Sequence, residues 1–313
     1  MTFLHAVEQV NAARSAQDLF GGTDAGHRYR TMAKLLHPDT APAGQLRLAR
    51  EAFARLALLW EQYRRGERKL YEGDIAHLYS ADGGAALRKM PRRARDNDLM
   101  QREAQALSAL ERHGEDRHRA YAPLLLNSFR QRDPDTGVQR VVNVLQHLPG
   151  FVSLALVARC YPQGVPARDA AWMWRRLLVA LGYAHRAGVV HGAVVPEHVL
   201  IHPGEHGLAL VDWCYSTRGD EPIPAMVGGR LDLYPPEVAQ RRVAGPGTDI
   251  YLAAKCMSWL MGAHTPGALR RFVKGCTIPY AKARPQDAWR LLAELDDLLH
   301  QLYGKRTFRP FTL

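Results

Sequence analysis

The chain lacks any apolar run approaching the roughly 20 residues of a membrane-crossing helix, and its opening stretch MTFLHAVEQVNAARSAQDLF has no basic leader followed by an apolar core. Both absences point to a cytosolic location. Cysteine is scarce: Cys160, Cys214, Cys256 and Cys276 are widely spaced and form no Cys-x-x-Cys pair. That excludes a disulfide framework or zinc cluster as the organising feature, and reduced, individually buried thiols are expected. The 14 histidines are scattered without metal-ligand spacing. Also missing is a basic stripe interleaved with aromatics. The formal net charge of +11 is carried by arginine spread along the chain, as in RKMPRRAR. A solvated basic surface accounts for this, so nucleic acid is not expected as a partner.

What is present is a globular composition, 47% hydrophobic over 313 residues, enough for one large domain and a small one. Tyr29, Met32, Ala33 and Leu36 follow i, i+3, i+4, i+7 spacing and predict an amphipathic helix. Pro38 removes an amide donor and biases His37 away from helical geometry, so His37-Pro38-Asp39 forms the turn leaving that helix. A second helix follows, with Leu46, Phe53, Leu56, Leu59, Trp60 and Tyr63 on one face and Gly66 as its stop. LHAVEQVNAARSAQDLF supplies a shorter third helix.

YRTMAKLLHPDT followed by EAFARLALLW resembles helix two, the His-Pro-Asp loop and helix three of a J-domain co-chaperone. The resemblance implies that His37, Pro38 and Asp39, with the basic residues Arg30 and Lys34, engage a seventy-kilodalton heat-shock chaperone. The plain alternative is an ordinary helix-ending turn on a small helical hairpin.

From Lys69 the pattern changes. YEGDIAHLYSADGGAALRKM reads as strands around an ADGG turn. A helix follows with Leu99, Met100, Ala106, Leu107 and Leu110 at helical spacing, capped by Asp96 or Asn97 and ended by Gly114. Two strands lie near Pro123 to Phe129 and Val141 to Leu145, joined by RDPDTG, and after QHLPG the chain becomes mainly helical. This order resembles the bilobal protein kinase fold, an α+β class with a small antiparallel sheet, one helix and a larger helical lobe. The expected division is 1–66 for the J-like module and 67–313 for the kinase-like domain, with lobes 67–148 and 149–313.

The kinase resemblance rests on several segments in order. LYEGDIAHLY stands where kinases carry a glycine-rich phosphate loop, with Gly73 at the middle glycine and Tyr71 and Ala76 replacing the others. AALRKM resembles the strand bearing the nucleotide-binding lysine, assigned to Lys89 rather than Arg88; Glu103, on the polar side of the next helix, is its implied partner. HGAVVPEHVLI resembles the catalytic loop: His191, Pro196 and Glu197 match, while Gly192 replaces the arginine, Ala193 the catalytic aspartate, Val195 the lysine and His198 the metal-binding asparagine. LALVDWCYS resembles the Asp-Phe-Gly segment, with Asp212 matching, Trp213 in place of phenylalanine and Cys214 in place of glycine. Downstream, Glu237 and Arg284 match a buried ion pair, and Asp249 matches the residue that holds the loop backbone.

Alanine at 193 cannot accept a hydroxyl proton. The resemblance therefore implies a bacterial-type pseudokinase, a regulatory binding module joined to a J-like module, with ATP and magnesium as the implied cofactors. Gly73, Lys89, Glu103 and Asp212 would hold the nucleotide, with Asp212 and His198 as candidate metal ligands. Two alternatives stay open: an atypical phosphotransferase in which His198 or a displaced carboxylate substitutes for missing groups, and a nucleotide-free scaffold with an empty cleft, which Trp213 could fill. Ser216 and Thr217 lie in the activation segment, but Gly192 cannot receive a phosphate as arginine does, so activation by phosphorylation there is not expected.

Overall fold

The computed structural model describes residues 1–20, 25–64, 69–81, 84–132, 137–219 and 221–313. These form two compact units, Met1–Met100 with Leu126–His147, and Gln101–Leu125 with Leu148–Leu313.

The first unit begins with helices α1 (Phe3–Ala12), α2 (Ala16–Phe20), α3 (Ala25–Leu36) and α4 (Leu46–Arg64). The single short helix expected before α3 is two helices, for a local reason. Ser15 Oγ accepts from the Asp18 amide at 3.2 Å, while Asp18 Oδ2 accepts from the amides of Arg14 and Ser15 at 3.0 and 3.1 Å. These reciprocal bonds start a new helix at Ala16. Val7, Val10, Leu19, Phe20, Met32, Leu36, Leu56 and Leu59 are buried together. Trp60 stacks on Tyr29 with ring centroids 4.5 Å apart, and Phe20 meets the same indole edge-on at 5.2 Å. Leu46, expected on this face, is instead 46% exposed at the first turn of α4; Ala49 and Ala52 take the buried positions. Gly66, the expected helix stop, lies outside the described residues.

The same unit holds the strands β1 (Lys69–Glu72), β2 (Ala76–Ala81) and β3 (Ala86–Pro91), the start of α5 (Asn97–His113), and strands β4 (Leu125–Arg132) and β5 (Gln139–Gln146). The sheet order is β1-β2-β3-β5-β4, with antiparallel pairing from β1 through β5. The β1–β2 connection closes tightly, the Gly73 amide donating to Ala76 O at 2.9 Å. Asn97 docks α5 onto β5: its Nδ2 donates to Gln139 O and its Oδ1 accepts from the Val141 amide, both at 2.8 Å. Asp82 and Gly83 of the ADGG turn, and Asp133 to Thr136 of the β4–β5 turn, lie outside the described residues.

In the second unit α5 continues to His113, where Gly114 allows a close approach. A Cβ there would lie 2.1 Å from the Tyr183 ring, whose hydroxyl donates to Leu110 O at 2.8 Å. The unit then carries β6 (Val152–Ser153), α6 (Leu154–Cys160), α7 (Ala167–Arg186), β7 (Val189–Val190), β8 (Val199–His202), β9 (Gly207–Leu210) and β10 (Thr217–Arg218). Four helices complete it: α8 (Pro236–Ala239), α9 (Pro246–Met261), α10 (Gly267–Cys276) and α11 (Ala288–Tyr303). α7 is the central helix, burying Trp174, Leu177, Leu178, Leu181 and Tyr183, and packs against α9 and α11. Short pairs β6-β8-β9 and β10-β7 hold the loops beside it. Cys214, Cys256 and Cys276 are buried free thiols, but Cys160 is exposed at the end of α6, contrary to the expectation that all four are buried.

Candidate functional site: a loop held by Asp249

Burial makes Asp249 the anchor of the loop after β7. From the first turn of α9 its Oδ2 accepts from the His191 amide at 2.7 Å and its Oδ1 from the Gly192 amide at 2.8 Å. His185 Nε2 lies 3.0 Å from the same Oδ2. The carboxylate is fully buried, so it orders two backbone amides that would otherwise lack acceptors.

The two histidines in the loop are fixed by what their nitrogens face. Ala193 N donates to His191 Nδ1 at 3.2 Å, so His191 Nε2 carries the proton and donates to Val211 O at 2.9 Å. Burial pushes the His191 imidazole down to about 4, a shift that Asp249 only partly offsets. The folded chain therefore keeps this ring neutral while the unfolded chain protonates it below about 6.5. Stability is fully present above pH 6.5 and falls by about 3 kcal/mol as pH drops from 6.5 to 4, where both states are protonated alike. Denaturant titrations across that window should show the slope, and His191→Gln should flatten it; an unchanged slope would assign the acid sensitivity elsewhere.

His198 Nδ1 donates to Ala193 O at 2.9 Å, which turns its Nε2 toward Asp212 Oδ2 at 3.4 Å. The ring also stacks on Tyr215, 5.4 Å between centroids. Asp212 itself has φ 63 and ψ 48, left-handed geometry that is uncommon for a residue with a side chain. Trp213 is buried, its indole N–H donating to Leu210 O at 2.9 Å and its ring edge-on to His191 at 4.5 Å. The indole is thus packed into the loop's own core.

Ala193 is fully buried and offers no acceptor side chain. The nearby carboxylate of Glu197 is taken by Arg230, whose Nε and Nη2 form a forked contact as short as 2.5 Å. Burial alone would raise the Glu197 carboxyl; the Arg230 hydrogen bonds and charge outweigh it and hold the group below its ordinary value. Arg230 in turn lies over the Trp259 ring at 4.7 Å. Ser216 and Thr217 are both buried, and Thr217 pairs with Val190 across β10 and β7.

Gly192 stands where the resemblance puts arginine, and its backbone explains why. Its φ is 78°, and a Cβ would sit 2.5 Å from Tyr215 O. Glu237 and Arg284 form the buried ion pair: Nη1 and Nη2 donate to the two carboxylate oxygens at 2.5 and 2.9 Å, and Thr248 adds a third donor at 3.0 Å.

The remaining sequence-nominated residues sit in their own settings. Lys89 is buried on β3, paired in register with Leu78 and Asn143, while Arg88 faces the other side and donates to Gln131. The strand's alternation thus puts Lys89 on the more buried side. Glu103 is buried on α5 rather than on an exposed polar face. Gly73 lies in the β1–β2 turn, and Arg92 Nη1 donates to its carbonyl at 3.1 Å. On the helical module Arg30, Lys34, His37 and Asp39 are exposed, with Pro38 half-buried. His37 packs edge-on against Phe53 at 5.2 Å and accepts from the Asp39 amide at 3.2 Å; Thr40 Oγ1 donates to Lys34 O at 2.9 Å and ties the loop to α3.

His185, Arg230 and Thr248 were not legible in advance. His185 is 64 residues from Asp249 and Arg230 is 33 from Glu197, and neither spacing is a motif. For magnesium the donor set is poor: Asp212 offers carboxylate oxygens, but His198 offers nitrogen to a cation that prefers oxygen. Among the described residues no group of three His, Cys, Asp or Glu side chains could hold a metal.

No family model matches the chain. It is 29% identical over 122 residues to a human protein named myotonin-protein kinase, covering 38% of this chain and 19% of that one. It is 30% identical over 131 residues to serine/threonine-protein kinase PkaB of Streptomyces coelicolor, covering 36% and 31%. A 45-residue stretch is 42% identical to the casein kinase II subunit alpha' of Saccharomyces cerevisiae, covering 14% and 13%. The chain therefore spans less than a third of the length of these curated relatives. Taken with the mixed helix and sheet and the small antiparallel sheet, these partial similarities support a kinase-like fold and a kinase-like protein.

Proposed function

We propose that the protein is a pseudokinase, a nucleotide-binding regulatory module without ordinary phosphotransfer, joined to a J-like module that recruits a seventy-kilodalton heat-shock chaperone. The observation that carries the first part is the state of the loop carboxylates. Position 193 is alanine, Glu197 is held by Arg230, and Asp249 is buried on backbone amides. Asp212 faces His198. None is placed to take a hydroxyl proton, while Asp212 and the buried Lys89 keep the residue types that contact nucleotide in kinases.

Calorimetric titration with ATP, with and without magnesium, tests this. Saturable binding is expected, weakened about tenfold or more by Lys89→Ala. Binding equal in the parent and in Lys89→Ala would sink the assigned pocket. Comparing the parent with Asp212→Asn in both arms reads whether Asp212 acts through a metal. The second reading, an atypical phosphotransferase, is favoured by the His198–Asp212 contact, since an imidazole can move a proton where alanine cannot. Radiolabel transfer from ATP to a generic acceptor, abolished by Asp212→Asn, would establish it in place of the first.

The chaperone proposal rests on the exposed His37 and Asp39 loop beside exposed Arg30 and Lys34. The full chain should stimulate the ATPase of a purified seventy-kilodalton chaperone, and His37→Gln should abolish the effect. No stimulation by the parent would reduce the module to a helical hairpin.

A further inference from the structure

A cavity of about 660 Å³ lies in the second unit between α7, α11 and the segment 304–309, away from the loop held by Asp249. Its size falls within the range of small-molecule sites. The floor is aromatic: Trp172 and His206 stack at 4.1 Å with an interplanar angle of 4°, and Phe308 covers His206 at 4.4 Å. Beyond the cavity the covering segment is anchored, Phe311 being buried against Tyr161 and the Tyr161 hydroxyl donating to Thr312 O at 2.7 Å.

Trp172 and His206 are 8% and 6% exposed; Trp172 Nε1 and His206 Nε2 are buried without a hydrogen-bond partner among the described residues, while His206 also hydrogen-bonds the Arg309 backbone. The surrounding charge has the sign an anion needs. Asp296 is paired with Arg175, and Asp169 lies 3.7 Å from Arg309. Of the other lining charges, Arg168, Lys305 and Arg306 face a single carboxylate, Asp297. Arg168 lies 5.8 Å over the Tyr303 ring, a stacking contact rather than a neutralising one. Burial first, and then the neighbouring Arg306 and Arg176, pull the Arg175 guanidinium below its ordinary value, as expected where cations crowd.

We propose that this cavity binds a small organic anion: an aromatic body lying against Trp172, His206 and Phe308, with a carboxylate or phosphate that faces Arg168, Lys305 and Arg306. The site is separate from the nucleotide proposal and stands or falls without it. It supplies an input to the helical unit distinct from the kinase-like loop.

The experiment is a titration of the ¹⁵N-labelled full chain with phenyl phosphate, read on the tryptophan indole signals. The chain has six tryptophans, and the Trp172 signal is the one lost in Trp172→Phe, a change that keeps the ring but removes the donor. A saturable shift of that signal is expected with Kd below about 1 mM, and a Kd about tenfold or more weaker in Arg306→Gln, whose side chain is exposed. Benzyl alcohol and inorganic phosphate should each bind about tenfold or more weaker than phenyl phosphate, because each lacks half of the ligand. No saturable shift up to about 10 mM overturns the proposal. So does equal binding of benzyl alcohol, equal binding of inorganic phosphate, or indifference to Arg306→Gln.

Discussion

Asp249→Ala should destabilise the second unit by about 3–5 kcal/mol, the largest loss expected from any single change near the loop. The substitution strips the acceptor from the His191 and Gly192 amides and from His185 at once. A buried donor left without an acceptor costs about 1–3 kcal/mol, and two are certain to lose theirs. Asp249→Asn should cost less, because one oxygen remains to accept while the new amide group faces a backbone N–H. For a unit of this size the alanine loss corresponds to a fall in Tm of about 6–20 °C. Differential scanning calorimetry checks it. A fall under about 2 °C would mean that water replaces the carboxylate, and that the loop is not held from α9.

Arg284→Ala is the second large effect, again about 3–5 kcal/mol, and its origin is different. Glu237 is buried, and without arginine its carboxylate keeps the Thr248 hydroxyl at 3.0 Å and its own backbone amide but no countercharge. The cost is an uncompensated charge rather than a lost bond. Glu237→Gln with Arg284→Met should therefore be less damaging than Arg284→Ala alone, since the pair's burial cost disappears with both partners. Arg284→Lys should not rescue, because the guanidinium also donates to Ile278 O and Pro279 O at 2.5 and 2.8 Å. The pair also predicts acid behaviour. Burial would raise the Glu237 carboxyl, but its bonds to Arg284, its own backbone and Thr248 outweigh that and hold it low. A depressed carboxylate contributes stability above its unfolded value of about 4.3, lost as pH falls through the folded value. This window lies below that of His191, so the acid limb should show two steps. The lower step should shrink in the double variant, leaving what Glu197 contributes; an unchanged step would assign it to other carboxylates.

The elements legible in the sequence were those specified by local spacing. Met32 and Leu36 were readable as a buried face because helical period is a property of neighbours. The break between α1 and α2 was written in Ser15 and Asp18, a capping pattern passed over in favour of apolar content. Leu46 misled because a helix's first turn can point its apolar side chain into solvent even when the heptad pattern includes it. The candidate loop was legible as a loop because the resemblance of its segment also nominated Asp249, which the structure places on the loop's backbone amides. Its electrostatics were not: Arg230 on Glu197 and His185 on Asp249 depend on where distant segments meet. The cavity under residues 304–309 had no signature, because it is made by the path of an irregular segment over two helices.

Gly192 couples two segments of the chain. Its backbone sits at φ 78°, with Tyr215 O where a side chain would begin. Any side chain at 192 requires a different path for the chain, so glycine and the present path are mutually dependent. An arginine placed there would strain the fold, and an aspartate placed at the buried position 193 would enter a loop already shaped around its neighbour.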